Sequence, residues 1–194
     1  MTALSADKDS VYIRIDGPTV DNMAGSIIAL DASTGKKKWT SATVDFQTGA
    51  PLLFDASTLV VSDTIPGDHG GTATRNNPYV LRGLDRSTGQ MKWESRTVAK
   101  YARWTPSDGL LFVADRKAHA VIGTGNATSP DSFLTVVDIR SGKELWRSET
   151  VSLGTFTTPV VSDGIVVFGS LPFGDQNPEA GGLFAYSATR QGSK

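Results

Sequence analysis

The chain has 194 residues, with 19 Lys plus Arg against 20 Asp plus Glu, for a formal net charge of −1. So balanced a surface argues against nucleic acid or an anionic membrane as a partner held by broad electrostatics. There is no cysteine, which removes disulfides, thiolate metal sites and cysteine nucleophiles.

The N-terminal stretch MTALSADKDS has no basic region followed by an apolar one, so no signal peptide is expected. No apolar run approaches the roughly 20 residues that span a bilayer, and no membrane span is expected. The first element is a hairpin, LSADKDSVYIRID from Leu4, with a polar turn at Asp7-Lys8-Asp9-Ser10. A Gly/Pro/Asn-rich loop from Gly17 follows, and then ALDASTGKKKW from Ala29 to Trp39.

The same order recurs. LLFDASTLVVSD from Leu52 turns at Asp55 to Thr58, a loop runs from Pro66, and GLDRSTGQMKW spans Gly83 to Trp93. WTPSDGLLFVAD from Trp104 turns at Ser107-Asp108-Gly109, a loop runs from Arg116, and VVDIRSGKELW spans Val136 to Trp146. A fourth pass has PVVSDGIVVFGS from Pro159, a loop from Pro172, and a worn LFAYSATRQG from Leu183 to Gly192 with no tryptophan after it. The tryptophans at 39, 93 and 146 stand 54 and 53 residues apart, a period of the size that marks one multistranded repeat. Asp, Ser and Gly at the turns favour tight hairpins. The strands after them (Val11–Ile13, Leu59–Val61, Leu110–Val113, Ile165–Phe168) are apolar runs, as expected for strands covered on both faces. No sustained 3.6-residue apolar period occurs, so helix content should be close to nil.

Asp31, Gly35 and Trp39 keep their offsets in Asp85/Gly89/Trp93 and Asp138/Gly142/Trp146. A carboxylate can cap such a turn and a glycine can take its left-handed position, so these aspartates are expected to shape turns, not to catalyse. Each tryptophan, well into the last strand, is expected to lie over the neighbouring repeat's turn with its indole N–H on a backbone carbonyl. Lys36-Lys37-Lys38 is expected to be a solvated edge, and Trp104 a core residue.

The loops differ most between copies, and variable loops of a repeat are the usual place for binding. They supply the candidate contact residues Asp68, His69, Arg75, Arg116 and His119. The two histidines lie in different loops without the paired spacing of a zinc site, so no metal site is expected. Nothing of the G-x-S-x-G kind supports a catalytic serine, and no catalytic residue is assigned. Gly123-Thr124-Gly125 lacks the third glycine and following helix of a dinucleotide fingerprint.

The pattern A-x-D-x-x-T-G-x-x-x-W resembles the tryptophan-docking motif of the PQQ-type (quinoprotein-like) β-propeller repeat family. The first copy matches at Ala29, Asp31, Thr34, Gly35 and Trp39; the second has Gly83 for the alanine, and the third has Val136 and Ser141 for the alanine and threonine. The resemblance implies an all-β chain of four-stranded antiparallel blades. About four blades form a partial ring in one domain, over units of roughly 1–44, 45–98, 99–150 and 151–194. Family propellers have about seven or eight blades, so the chain is expected to be part of a longer propeller, completed by its remainder or by a second copy.

Family members that carry the quinone resemble one another in an adjacent cysteine pair, a tryptophan floor and a calcium ion. The chain lacks the first and shows no calcium-binding grouping, so neither PQQ nor calcium is expected as a cofactor. The family includes the outer-membrane assembly lipoprotein of Gram-negative bacteria and sensor domains of bacterial serine/threonine kinases. That implies a non-catalytic binding or scaffold module for a protein or peptide partner, periplasmic or at the cell surface. The alternative is a quinone-dependent dehydrogenase or another propeller enzyme.

Overall fold

A computed structural model of the chain describes residues 3–15, 24–41, 44–45, 52–64, 79–95, 103–116, 131–149, 152–172 and 182–187, and every regular element among them is a β-strand. The chain divides into two compact units: Met1–Val98 with Ile139–Lys143, and Ala99–Asp138 with Glu144–Lys194.

Unit 1 holds two antiparallel sheets. In the first, β1 (Ala3–Ala6), β2 (Ser10–Ile15), β3 (Ala24–Asp31) and β4 (Lys37–Thr40) lie in chain order, and β5 (Val44–Asp45) pairs with the start of β3. In the second, β6 (Leu53–Phe54), β7 (Thr58–Thr64), β8 (Tyr79–Asp85) and β9 (Met91–Ser95) repeat that order. Val, Ile, Tyr and Leu dominate the second strand of each sheet because such side chains suit a pleated, at least half-buried surface. Tyr12, Ile27, Ala29 and Trp39 of the first sheet pack against Leu59, Val61 and Leu84 of the second and against Leu52, just before β6. Burying each of the larger apolar side chains there contributes about 1.5–3 kcal/mol.

Unit 2 is one connected eight-stranded sheet. Its first four-strand set is β10 (Arg103–Ser107), β11 (Leu110–Arg116), β12 (Asp131–Asp138) and β13 (Glu144–Arg147). Next comes β14 (Ser152–Phe156), which pairs with β12 through Leu153 and with β16 through Gly154, so it carries the chain from one set to the next. The second set adds β15 (Val160–Ser162), β16 (Ile165–Pro172) and β17 (Gly182–Ser187). Phe112, Ala114 and Leu134 of the first set pack against Val166 and Phe168 of the second.

Register makes the repeats equivalent residue by residue. The second strand of each set begins opposite the motif aspartate: Ser10 faces Asp31, Thr58 faces Asp85 and Leu110 faces Asp138. In the fourth set Ile165 faces Ser187, which therefore holds the aspartate's place. The strands run longer than the apolar runs of the sequence, because cross-strand bonding continues through flanking polar residues such as Ser62, Asp63 and Thr64. The expectation of cover on both faces is met only in part by the run Ile165–Phe168, where Val166 and Phe168 are buried and Ile165 is 47% exposed.

Candidate functional site

The repeated motif is a turn, a bulge and a clamp. Asp31 Oδ1 accepts hydrogen bonds from the Ser33 amide (3.1 Å) and hydroxyl (2.6 Å) and from the Thr34 amide (2.8 Å) and hydroxyl (2.9 Å). Asp85 does the same with Ser87 (2.8 and 2.5 Å) and Thr88 (3.0 and 3.2 Å). The Ser33 hydroxyl first, then the Thr34 donors, hold the Asp31 carboxyl well below the usual carboxylate range; the Ser87 hydroxyl leads the same effect at Asp85. The amides of Gly35 and Gly89 donate to the carbonyls of Asp31 and Asp85 at 2.9 and 2.8 Å, closing each turn. These carboxylates are occupied as turn caps.

After the turn, the ladder slips by one residue between Ala29 and Leu30, Gly83 and Leu84, and Val136 and Val137. The slip sets each tryptophan opposite the residue two before the aspartate: Trp39 opposite Ala29, Trp93 opposite Gly83 and Trp146 opposite Val136. A bulge re-aims the side chains beyond it, and here it aims an indole at the next turn. Trp39 Nε1 donates to the Arg86 carbonyl at 2.9 Å, and Trp93 Nε1 to the Ile139 carbonyl at 2.9 Å. The rings lie so close that a Cβ on Gly89 would stand 2.5 Å from Trp39, and one on Gly142 2.3 Å from Trp93. Both glycines sit at positive φ, +75° and +70°, so two independent constraints select glycine there.

Arg86 completes the first joint. Its guanidinium pairs with the Asp7 carboxylate, donates to the Asp55 carbonyl, and reaches Tyr12 Oη through Nε at 3.1 Å. It lies 4.7 Å from the Phe54 ring centre and 5.7 Å from that of Tyr12. Burial lowers the Arg86 pKa without threatening its charge, and burial pushes the Tyr12 phenol up.

Three contributors escape a reading of the aspartate, glycine and tryptophan alone. One is Arg86, whose signal is only its place beside Asp85. Another is the serine two residues after each tryptophan. The Ser41 hydroxyl accepts from the Ile27 amide and the Ser148 hydroxyl from the Leu134 amide, each at 2.9 Å, and Ser95 is buried at the equivalent place. The third is the lysine before the tryptophan. Lys38 Nζ reaches the Asp9 carbonyl (3.1 Å) and Ser10 Oγ (2.9 Å), so the basic run is not merely a solvated edge. The phase of the repeat was the signal for the last two.

Trp146 differs from its counterparts. It is 44% exposed and meets Tyr186 edge-on, ring centres 5.4 Å apart. Trp104 is buried. Of the candidate loop residues, Arg116 ends β11, its backbone opposite Ser132; Asp68, His69, Arg75 and His119 lie outside the described residues.

Residues 4–170 match the family described as outer membrane protein assembly factor BamB. The chain belongs to the PQQ-like β-propeller repeat family. Within it, the chain is 29% identical over 182 residues to the quinohemoprotein alcohol dehydrogenase ADH-IIG of Pseudomonas putida, covering 90% of the chain and 24% of that enzyme. It is 29% identical over 160 residues to the quinohemoprotein alcohol dehydrogenase of Comamonas testosteroni, covering 66% of the chain and 21% of the enzyme. Among solved structures it superimposes on BamB from Moraxella catarrhalis with a TM-score of 0.57 at 19% identity, over 96% of the chain and 45% of that protein. The P. putida ADHIIG structure gives a TM-score of 0.52 at 16% identity, over 96% and 32%. The chain therefore has the propeller fold of this PQQ-like family and spans less than half the length of these relatives.

In unit 1 the rings of Trp39 and Trp93 lie on glycines with their N–H groups bonded, and in unit 2 Trp104 is buried and Trp146 is edge-on to Tyr186. Among the described residues no group of three or more His, Cys, Asp or Glu is placed to hold a metal ion.

Proposed function

We propose that this PQQ-like chain is a non-catalytic binding or scaffold module, built from blade units at roughly 1–44, 45–98, 99–150 and 151–194. The observation that carries this reading is the occupation of the motif's polar chemistry. The Asp31 and Asp85 carboxylates, the Trp39 and Trp93 N–H groups and the Arg86 guanidinium are all engaged in turns and joints. What varies between repeats is the loops, and the contact face assigned to them uses Asp68, His69, Arg75, Arg116 and His119. The partner is a protein or peptide in extended form, bound by backbone pairing and loop side chains. The match to an outer-membrane assembly-factor family supports that partner class and a place in the bacterial envelope; on this reading the chain is part of an envelope assembly factor or of the sensor region of a kinase.

The dehydrogenase relatives favour a second reading, a quinone-dependent enzyme. One pair of titrations separates the two. Labelled peptides with the apolar/polar alternation of membrane β-strands should bind with a Kd of about 1–100 µM, weakened at least about fivefold in the variant His69→Ala/Arg75→Ala/His119→Ala. PQQ with calcium should leave both the absorbance spectrum and the melting temperature unchanged. A quinone-dependent rise in melting temperature would replace the binding reading with the enzymatic one.

A further inference from the structure

Register lines up equivalent rows across the four sets, and residues directly opposed in antiparallel strands share one face. The row through the third residue before the motif aspartate reads Leu4–Ile13–Ile28 in the first set, Val61–Arg82–Glu94 in the second and Phe168–Phe184 in the fourth. Those residues are apolar in the first and fourth sets, and in the second Arg82 and Glu94 pair with each other at 3.0 Å. In the third set the row reads Trp104–Val113–Thr135. Two of these three side chains carry a polar atom.

Both polar side chains are deeply placed, Thr135 at 0% exposure and Trp104 at 9%. Among the described residues, Trp104 Nε1 and Thr135 Oγ1 are the buried side-chain polar atoms with no hydrogen-bond partner. Arg147 stands opposite Thr135, but its guanidinium donates to Glu144 at 3.1 and 2.6 Å and lies 4.5 Å from the centre of the Phe133 ring. An unmade hydrogen bond on a buried group is costly, and folded interiors pair such groups with protein or with ordered water. The two backbones are roughly 10 Å apart, twice the spacing of neighbouring strands, with only the short side chain of Val113 between them.

We infer that the row Trp104–Val113–Thr135 holds one buried water molecule, which accepts from the Trp104 indole N–H and donates to Thr135 Oγ1. The chemistry of the pair selects water. The indole only donates, which excludes a cation, and an anion would lie uncompensated beside the buried Leu111, Val113 and Val137. Two hydrogen bonds of about 2.8 Å reach across the valine, and two polar partners are the fewest that a buried water takes. The water does for Trp104 what the Arg86 and Ile139 carbonyls do for Trp39 and Trp93: it fixes the plane of the ring. It depends on the side chains of one sheet and not on the peptide-binding role, so a failed peptide titration leaves it standing.

Two measurements on the whole chain test the bridge. In nuclear magnetic resonance the Trp104 indole N–H should cross-relax with a long-lived water, and Thr135→Val should abolish that signal while Thr135→Ser keeps it. In urea, Thr135→Val preserves the side chain's shape and should raise the unfolding constant at least about fivefold. In a Trp104→Phe background the same change should be less than about twofold, because the bridge is already gone. A Thr135→Val variant as stable as the parent, or more so, shows a hydroxyl with nothing to lose and overturns the inference, as does an indole N–H without water contact. Equal losses in the two backgrounds overturn it in favour of two separate solvent contacts. If Trp104→Phe does not fold, the water signal of the parent and of Thr135→Val decides the matter.

Discussion

In unit 1 the opening hairpins turn on carboxylates. Asp7 Oδ1 accepts the amides of Asp9 and Ser10 at 2.7 and 2.8 Å, and Asp55 Oδ1 those of Ser57 and Thr58 at 2.8 and 2.7 Å. Lysines from the fourth strand reach those turns, Lys38 to Ser10 and Lys92 to Thr58. In unit 2 the turns are Asp108-Gly109 and Asp163-Gly164, with φ of 50° and 76°, and of 50° and 74°. That is the left-handed pair a two-residue hairpin favours. Leu110 and Ile165 stand where Ser10 and Thr58 do, and Leu145 stands where the lysines do. The strand register is unchanged, so it is set by cross-strand pairing and by the bulge before the tryptophan. The turn's chemistry is free to change.

The largest test of that contrast is at the tryptophans. Trp39→Ala should cost about 3–5 kcal/mol, because a buried ring is removed from a close-packed seat. Trp146→Ala should cost about 1–2 kcal/mol, since the half-exposed ring has less area to lose. Urea unfolding of the two variants checks the order, and equal losses would erase the distinction between the units.

A smaller effect is expected at two left-handed glycines. Gly109→Ala meets nothing within 4 Å and should carry only the cost of positive φ, about 1–2 kcal/mol. Gly89→Ala adds a clash with Trp39 and should exceed it by about 1–3 kcal/mol. Calorimetry that found the two alike would show that the indole yields freely.

The smallest concerns acid. The carboxyls of Asp31 and Asp85 in unit 1 are held below their unfolded value of about 3.9. In the pH window from that value downward, the unfolded chain binds protons the folded chain does not. The stabilisation is therefore complete above about pH 4 and is lost as pH falls through the folded values. Asp31→Asn/Asp85→Asn should flatten the decline of melting temperature between about pH 4 and pH 2.5. An unchanged slope would move the acid sensitivity to other groups.

Much of the fold was legible because Asp31, Gly35 and Trp39 each answer a local requirement that no other residue type meets as well: a cap, a left-handed turn and a large flat ring with one donor. Three-fold recurrence at fixed offsets turned those local needs into an architecture. The site was less legible. Arg86 acts through Asp7, Tyr12 and Asp55, all distant in sequence, and nothing in a single strand's pattern announces such a meeting. The serine after each tryptophan replaces a backbone acceptor with a hydroxyl, which leaves hydrophobicity unchanged.

The joint that Trp39 makes with Arg86 and Gly89 has a consequence for inheritance. No repeat carries both halves of one fastening: it supplies the ring for the turn ahead and the seat for the ring behind. Gain or loss of one whole period by recombination therefore leaves every remaining ring facing a seat of the same make, whereas a change of half a period orphans both. Such a chain can change its length in whole repeats over generations without relearning how to pack.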